Sequence, residues 1–271
     1  MSGPATRSAR PAPPELHALI EANARLWAAE AEVFAAYFGS PRRTPEADEA
    51  WLARQCWKEL VDGVVGRIGR LTASESSFER TTAAALAALA DEVVRVELRH
   101  YVAFRIALRL AQREAGTLAR ATARIGSDWP ENAELQSMRA RQRREHGELG
   151  ERASAFTEGG YCTLYRAGMA LKRETDLDDA IATACAQVFD DEWEHMLEGI
   201  AGLAEAPLAA RDWARLEELT LAQGRARLHM RNAQFGFPLD AARLRALAAG
   251  AAEPLEFDYA RAGLSPPRDG G

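Results

Sequence analysis

Lysine is nearly missing from this chain. Of 34 basic residues only Lys58 and Lys172 are lysines, a coding bias toward arginine. Aromatics make up 7 % and β-branched residues are sparse, while alanine is abundant; this excludes an all-β protein and favours helices. Cysteine is limited to Cys56, Cys162 and Cys185, widely spaced and without a Cys-x-x-Cys. An odd, scattered set does not build a disulfide framework, so a reduced, cytoplasmic setting is expected. No apolar run approaches the ~18 residues of a membrane span, and the N-terminal MSGPATRSARPAPP has no apolar h-region. A soluble chain without a membrane partner is expected. Positive charge is in deficit: 34 Lys+Arg against 40 Asp+Glu give −6, which argues against nucleic acid as the main partner. Histidine is scarce too, at His17, His100, His146, His195 and His229.

What remains is helix after helix. A length of 271 residues buries a core without covalent staples. Residues 1–13 read as a flexible arm, 14–252 as a single helical domain and 253–271 as an irregular tail. Helices are expected over about 15–38, 45–72, 77–114, 151–173, 178–203, 209–234 and 239–250. Pro45 suits a first turn, and Ser76 with Glu79 fits a capping box. The stretch 116–150 is polar and helix-prone but interrupted by Gly126, Trp129-Pro130, Gly147 and Gly150. Its Arg139, Arg141, Arg143 and Arg144 alternate with Glu145 and Glu148, as on a solvated face.

Two short motifs carry chemistry. Glu97-Leu98-Arg99-His100 and Glu192-Trp193-Glu194-His195 are both Glu-x-x-His inside strong helical patterns. Residues i and i+3 share a helix face, so each pair offers a carboxylate and an imidazole to one metal ion. Glu97 and His100 fall within the apolar stripe of Leu86, Ala90, Val93, Tyr101, Phe104, Leu108 and Ala111. Glu192 and His195 fall within that of Ile181, Cys185, Val188, Phe189, Met196, Gly199 and Leu203. Charge on a core face is costly unless paired or metal-bound. Glu158 adds a third carboxylate. It lies 17 residues before Thr175 and Glu192 lies 17 after, so a helical hairpin turning at Thr175 puts both at one level, roughly 25 Å from the turn.

These residues resemble those of the ferritin-like di-iron carboxylate proteins, which take one Glu from each of two helices and a Glu-x-x-His from each of two others. The resemblance covers about residues 46–204. It implies an all-α, ferritin-like four-helix bundle, here with extra N- and C-terminal helices. It implies metal ligands Glu97, His100, Glu158, Glu192 and His195, with Glu97 and Glu192 bridging. Asp191 beside Glu192 is similar to the Asp-Glu-x-x-His form of the oxygen-activating members, where the Asp hydrogen-bonds a ligand His. The remaining ligand is assigned to Glu59 for its pseudo-symmetric position, although it sits opposite its helix's apolar stripe (Leu60, Val64, Ile68, Leu71). Glu30 has the better face on the wrong helix, and Asp62 is a further candidate.

The resemblance implies two Fe ions (or Mn, or mixed Fe/Mn), O2 as co-substrate, a small organic substrate, an external electron donor and oxidase or monooxygenase chemistry. A homodimer is compatible. Three readings stand beside it: an iron-binding ferroxidase or storage protein, a modified-tRNA hydroxylase, and a metal-free helical interaction protein. Tyr101, Tyr161 and Tyr165 read first as core aromatics, Cys162 and Cys185 as small buried hydrophobes, and His17, His146 and His229 as ordinary.

Overall fold

The computed structural model describes residues 10–64, 91–118 and 129–267. Helix α1 (Pro14–Phe38) opens on a proline and stops before Gly39-Ser40-Pro41. Helix α2 (Pro45–Trp57) is capped by Thr44, whose hydroxyl accepts from the Ala47 N–H; Pro45 has no N–H to leave unpaired. A seven-residue π-helix, Lys58–Val64, continues it. Then come α3 (Glu92–Glu114), α4 (Pro130–His146), α5 (Glu148–Phe156), α6 (Thr163–Met169) and α7 (Asp176–Glu205). Thr175 caps α7 by accepting from the Asp178 N–H at 3.0 Å. Helices α8 (Ala210–Gln234) and α9 (Ala241–Ala248) complete an all-α fold. The expected capping box Ser76/Glu79, the rest of the second helix and the first part of the third lie outside the described residues.

One expectation is corrected. The helix over 151–173 is broken. It divides into α5 and α6 around a left-handed turn, with φ of +68° at Gly159, +54° at Gly160, +55° at Tyr161 and +53° at Cys162. Gly159-Gly160 permit this at little cost; Tyr161 and Cys162 do not, because their Cβ crowds the backbone there. The described ends of the chain meet. Arg10–Pro11 (β1) pairs in parallel with Leu264–Ser265 (β2). Within the tail, the Tyr161 hydroxyl donates to the Glu256 carbonyl and accepts from the Asp258 N–H, both at 3.0 Å. Phe257 packs beside Trp27 and Tyr161.

The packing order positions the site. Helix α3 lies against α2, its π-helical extension and α7; α7 also packs on α5 and α6. Helices α1 and α8 pack on each other, α1 covering α6 and α8 covering α4 and α5. The π-helix, α3, the α5–α6 break and α7 therefore surround one volume, backed by α1 and α8. Among the described residues, no helix is long and apolar enough to cross a membrane.

Candidate metal centre

His100 is the centre of the cluster. It is buried on α3, and its two ring nitrogens have different surroundings. Nε2 lies 3.0 Å from Asp191 Oδ2 on α7. Asp191 also accepts from Arg99 at 3.4 Å. Nδ1 is buried without a hydrogen-bond partner, yet it faces Glu59 Oε2 at 3.8 Å, Glu97 Oε2 at 3.9 Å and Glu192 Oε1 at 4.0 Å. These separations are too long for hydrogen bonds. They are close to two metal–ligand bonds of about 2.0–2.2 Å each. Ligand-capable atoms of Glu59, Glu97 and His100 all lie within 4.8 Å of one another. An orphaned buried imidazole nitrogen among carboxylates is what a bound cation would satisfy, so the donor set fits a metal ion.

The π-helix explains why Glu59 can take part. Pairing i with i+5 widens the turn, so the face worked out at 100° per residue no longer applies beyond Trp57. Glu59 is buried. Gln55 donates to its carboxylate, and Gln55 Oε1 accepts from Gln234 Nε2 at 2.8 Å and Arg231 Nη1 at 3.3 Å. Tyr165 lies 3.5 Å from Glu59 on another side. Glu30 is occupied elsewhere. It accepts from Arg227 Nε at 2.8 Å and lies 3.8 Å from Arg231 Nε, as a buried ion pair. The side chain of Asp62 lies outside the described residues.

Glu158 does not sit on a helix as its spacing suggested. It occupies the α5–α6 break and is exposed to a cavity of ≈ 560 Å³. Glu59, Glu97 and Glu192 line the same cavity, with Lys58 among them. The break meets α7 at Gly159, where a Cβ would make an ordinary contact with Glu192 Oε2 at 3.6 Å; it is the φ of +68° that favours glycine there. His195 is not brought to the cluster. It is exposed, because the buried face of α7 runs through Glu192, Trp193 and Met196. At 100° per residue His195 falls roughly 60° to the other side of Glu192.

Electrostatics mark the carboxylates as a strained set. Burial, then the charges of Glu59 and Glu192, push the Glu97 carboxyl up to about 8. Burial also raises Glu192, opposed by Lys58 and reinforced by Glu59 and Glu158. The Tyr165 phenol is raised well above its ordinary range by burial and by Glu59 and Glu192. Burial pushes the Cys162 thiol up to about 12, so it is a neutral thiol near pH 7. All three cysteines are free and buried.

The basic side of the cavity was missed by sequence reading. Arg139 and Arg143 of α4 and Arg227 of α8 line it together with the glutamates; the solvated-face reading holds only for exposed Arg141 and Arg144. Alternating charge at helical spacing looks the same on a wet surface and on a polar cavity wall. The one available signal was the i, i+4 spacing of Arg139 and Arg143. Compared with protein-family models, curated proteins and solved structures, the chain finds no match.

Proposed function

We propose that this chain is a non-haem di-iron carboxylate protein, built on a ferritin-like bundle, that activates O2 to oxidise or hydroxylate a small organic substrate. The observation that carries the reading is His100 Nδ1: buried, without a partner, and faced by three glutamates from three helical segments. Glu59, Glu97, His100, Glu158 and Glu192 would hold the metal. A donor set of one imidazole and four carboxylates favours Fe or Mn over softer ions. Bound iron would supply the redox chemistry with O2 that no side chain here provides. Inserting one oxygen atom into a C–H bond while reducing the other to water takes two protons and two further electrons, so an external electron donor is part of the proposal.

The protein's own residues have separate tasks. Asp191 fixes the ring orientation of His100, leaving Nδ1 for the site. Gln55 orients Glu59. Burial of His100 against α2, the π-helix and α7 keeps bulk water from its ring. A cavity of ≈ 560 Å³ beside the cluster supports an organic substrate, because an ion pathway needs less room. One observation favours a second reading, iron oxidation or buffering without an organic substrate: with His195 at the surface, the second ion would have only oxygen ligands and would exchange readily. The three free cysteines support a reduced, cytoplasmic setting.

The test is metal analysis followed by O2 uptake. Protein from iron-supplemented cells should contain two Fe per chain, and its reduced form should consume O2. Uptake sustained by an organic compound supports the oxygenase. Uptake that stops once the iron is oxidised supports the second reading. Metal-free protein after iron supplementation sinks both.

A further inference from the structure

The metal reading leaves the basic wall of the cavity unexplained. Arg227 is buried on α8 and gives its Nε to Glu30, but its Nη2 has no partner. Arg139 is held in place, donating Nε to Gln223 Oε1 at 3.2 Å and Nη2 to Thr157 Oγ1 at 3.2 Å. Arg143 stands one helical turn further along α4, 3.8 Å from Glu151. These guanidinium groups repel one another: burial first, then the charges of Arg227 and Arg143, lower Arg139 to about 10. Glu30 is shared with Arg231, itself lowered to about 10 by burial and by Arg227. Glu158 and Glu30 act against this repulsion, yet Arg227 Nη2 is left without a hydrogen-bond partner.

We propose that this wall binds the oxyanion head group of the substrate, making the substrate a small organic acid whose oxidisable end is directed at the glutamate cluster. The proposal rests on the metal reading for its charge balance. Five carboxylates and four cations line the cavity. Without metal, that lining repels an anion. Two divalent ions would offset the four glutamates of the cluster and leave a lining net positive through Lys58, Arg139, Arg143 and Arg227. Arginine suits this task because its planar fork meets a carboxylate with two parallel hydrogen bonds. Phosphate presents the same oxygen geometry, so the shared chemistry is an oxyanion.

The experiment is calorimetric titration of anaerobic Fe(II)-loaded protein, its metal content measured separately, with octanoate, 1-octanol and inorganic phosphate. The expected result is octanoate binding at least tenfold tighter than octanol. That preference should weaken at least tenfold in Arg139→Gln and in Arg143→Gln at the cavity rim, with iron per chain unchanged. Arg143→Gln keeps the test decisive where Arg139→Gln disturbs folding. Phosphate competing as well as octanoate still supports the oxyanion site and assigns it to a phosphate head group. Equal binding of octanol and octanoate overturns the proposal. So does unchanged octanoate affinity in the Arg variants, which would place the carboxylate on the metal instead. Failure to take up iron is read independently and removes the metal reading, and this proposal with it.

Discussion

Asp191 Oδ2 lies 3.0 Å from His100 Nε2, and that contact decides which ring nitrogen is free. With Nε2 engaged across the α3–α7 contact, Nδ1 is left toward Glu59, Glu97 and Glu192. A carboxylate in this position orients the imidazole and raises its basicity as a ligand.

The first prediction follows from that division. His100→Ala should lose iron, and Asp191→Ala should weaken iron binding by about 10–100-fold, the usual effect of removing such a partner. His195→Ala should keep the wild-type iron content, because His195 is exposed outside the cluster. Metal per chain after equilibrium dialysis against a competing chelator checks all three. Iron loss in His195→Ala would return that residue to the site.

Why His195 and the basic wall escaped the sequence is a matter of phase and degeneracy. Apolar periodicity locates α1, α7 and α8 within a residue or two. It also identifies Glu97, His100 and Glu192 as polar groups on inward faces. It does not fix where the inward face is centred: burial of Trp193 turns the core side of α7 away from His195. Glu59 looked misplaced because a seven-residue π segment breaks the 100° step on which such projections depend. Counting from Thr175 puts Glu158 level with Glu192, and the two line one cavity although the left-handed run at 159–162 replaces the helix. The all-α class is therefore legible, and the candidate site is legible in its carboxylates more than in its winding.

A second prediction concerns pH. In the metal-free protein the Glu97 carboxyl is held up to about 8, against an ordinary 4.5. The folded state thus keeps a proton that the unfolded chain has already released. Below 4.5 both states are protonated and Glu97 costs nothing. As pH rises from 4.5 to about 8 the unfolded state gains its charge first, and stability falls. Glu192 shifts in the same direction. Urea midpoints in EDTA should drop from pH 5 to pH 8. Fe(II) or Mn(II) should flatten the decline, since a cation replaces the proton. A midpoint independent of pH in EDTA would contradict the buried acidic cluster.

A third prediction tests the α5–α6 break. Gly160 has φ +54°, and a Cβ there would stand 2.4 Å from Arg227 Nε. Gly160→Ala should cost at least about 1–3 kcal/mol from backbone strain alone, with displacement of Arg227 in addition. Gly202 is the control: it is helical, and nothing lies within 4 Å of its Cβ position. Gly202→Ala should stabilise by about 0.4–1 kcal/mol, through lower backbone entropy in the unfolded chain. Denaturant unfolding of the two variants should give opposite signs.

The last prediction separates the two glutamates that the sequence could not. Glu30 and Glu59 are equally buried, each 1 % exposed, but their neighbours carry opposite charge. Glu30 faces Arg227 and Arg231, so Glu30→Gln leaves two buried guanidinium groups without a counter-charge. Breaking a buried pair from one side costs about 3–5 kcal/mol, and none of that loss passes through the metal. Glu59 pairs with partly exposed Lys58 at 3.7 Å, but its buried side faces like charges: it raises Glu97, Glu192 and Tyr165. Glu59→Gln keeps the shape and removes that repulsion, so the metal-free protein should be as stable as wild type or more so, while iron binding falls. Unfolding midpoints in EDTA and iron per chain should therefore move in opposite patterns. Glu30→Gln should lose stability while the folded protein still binds iron; Glu59→Gln should lose iron and keep stability. The reverse pattern would make Glu30 the ligand and Glu59 the structural residue.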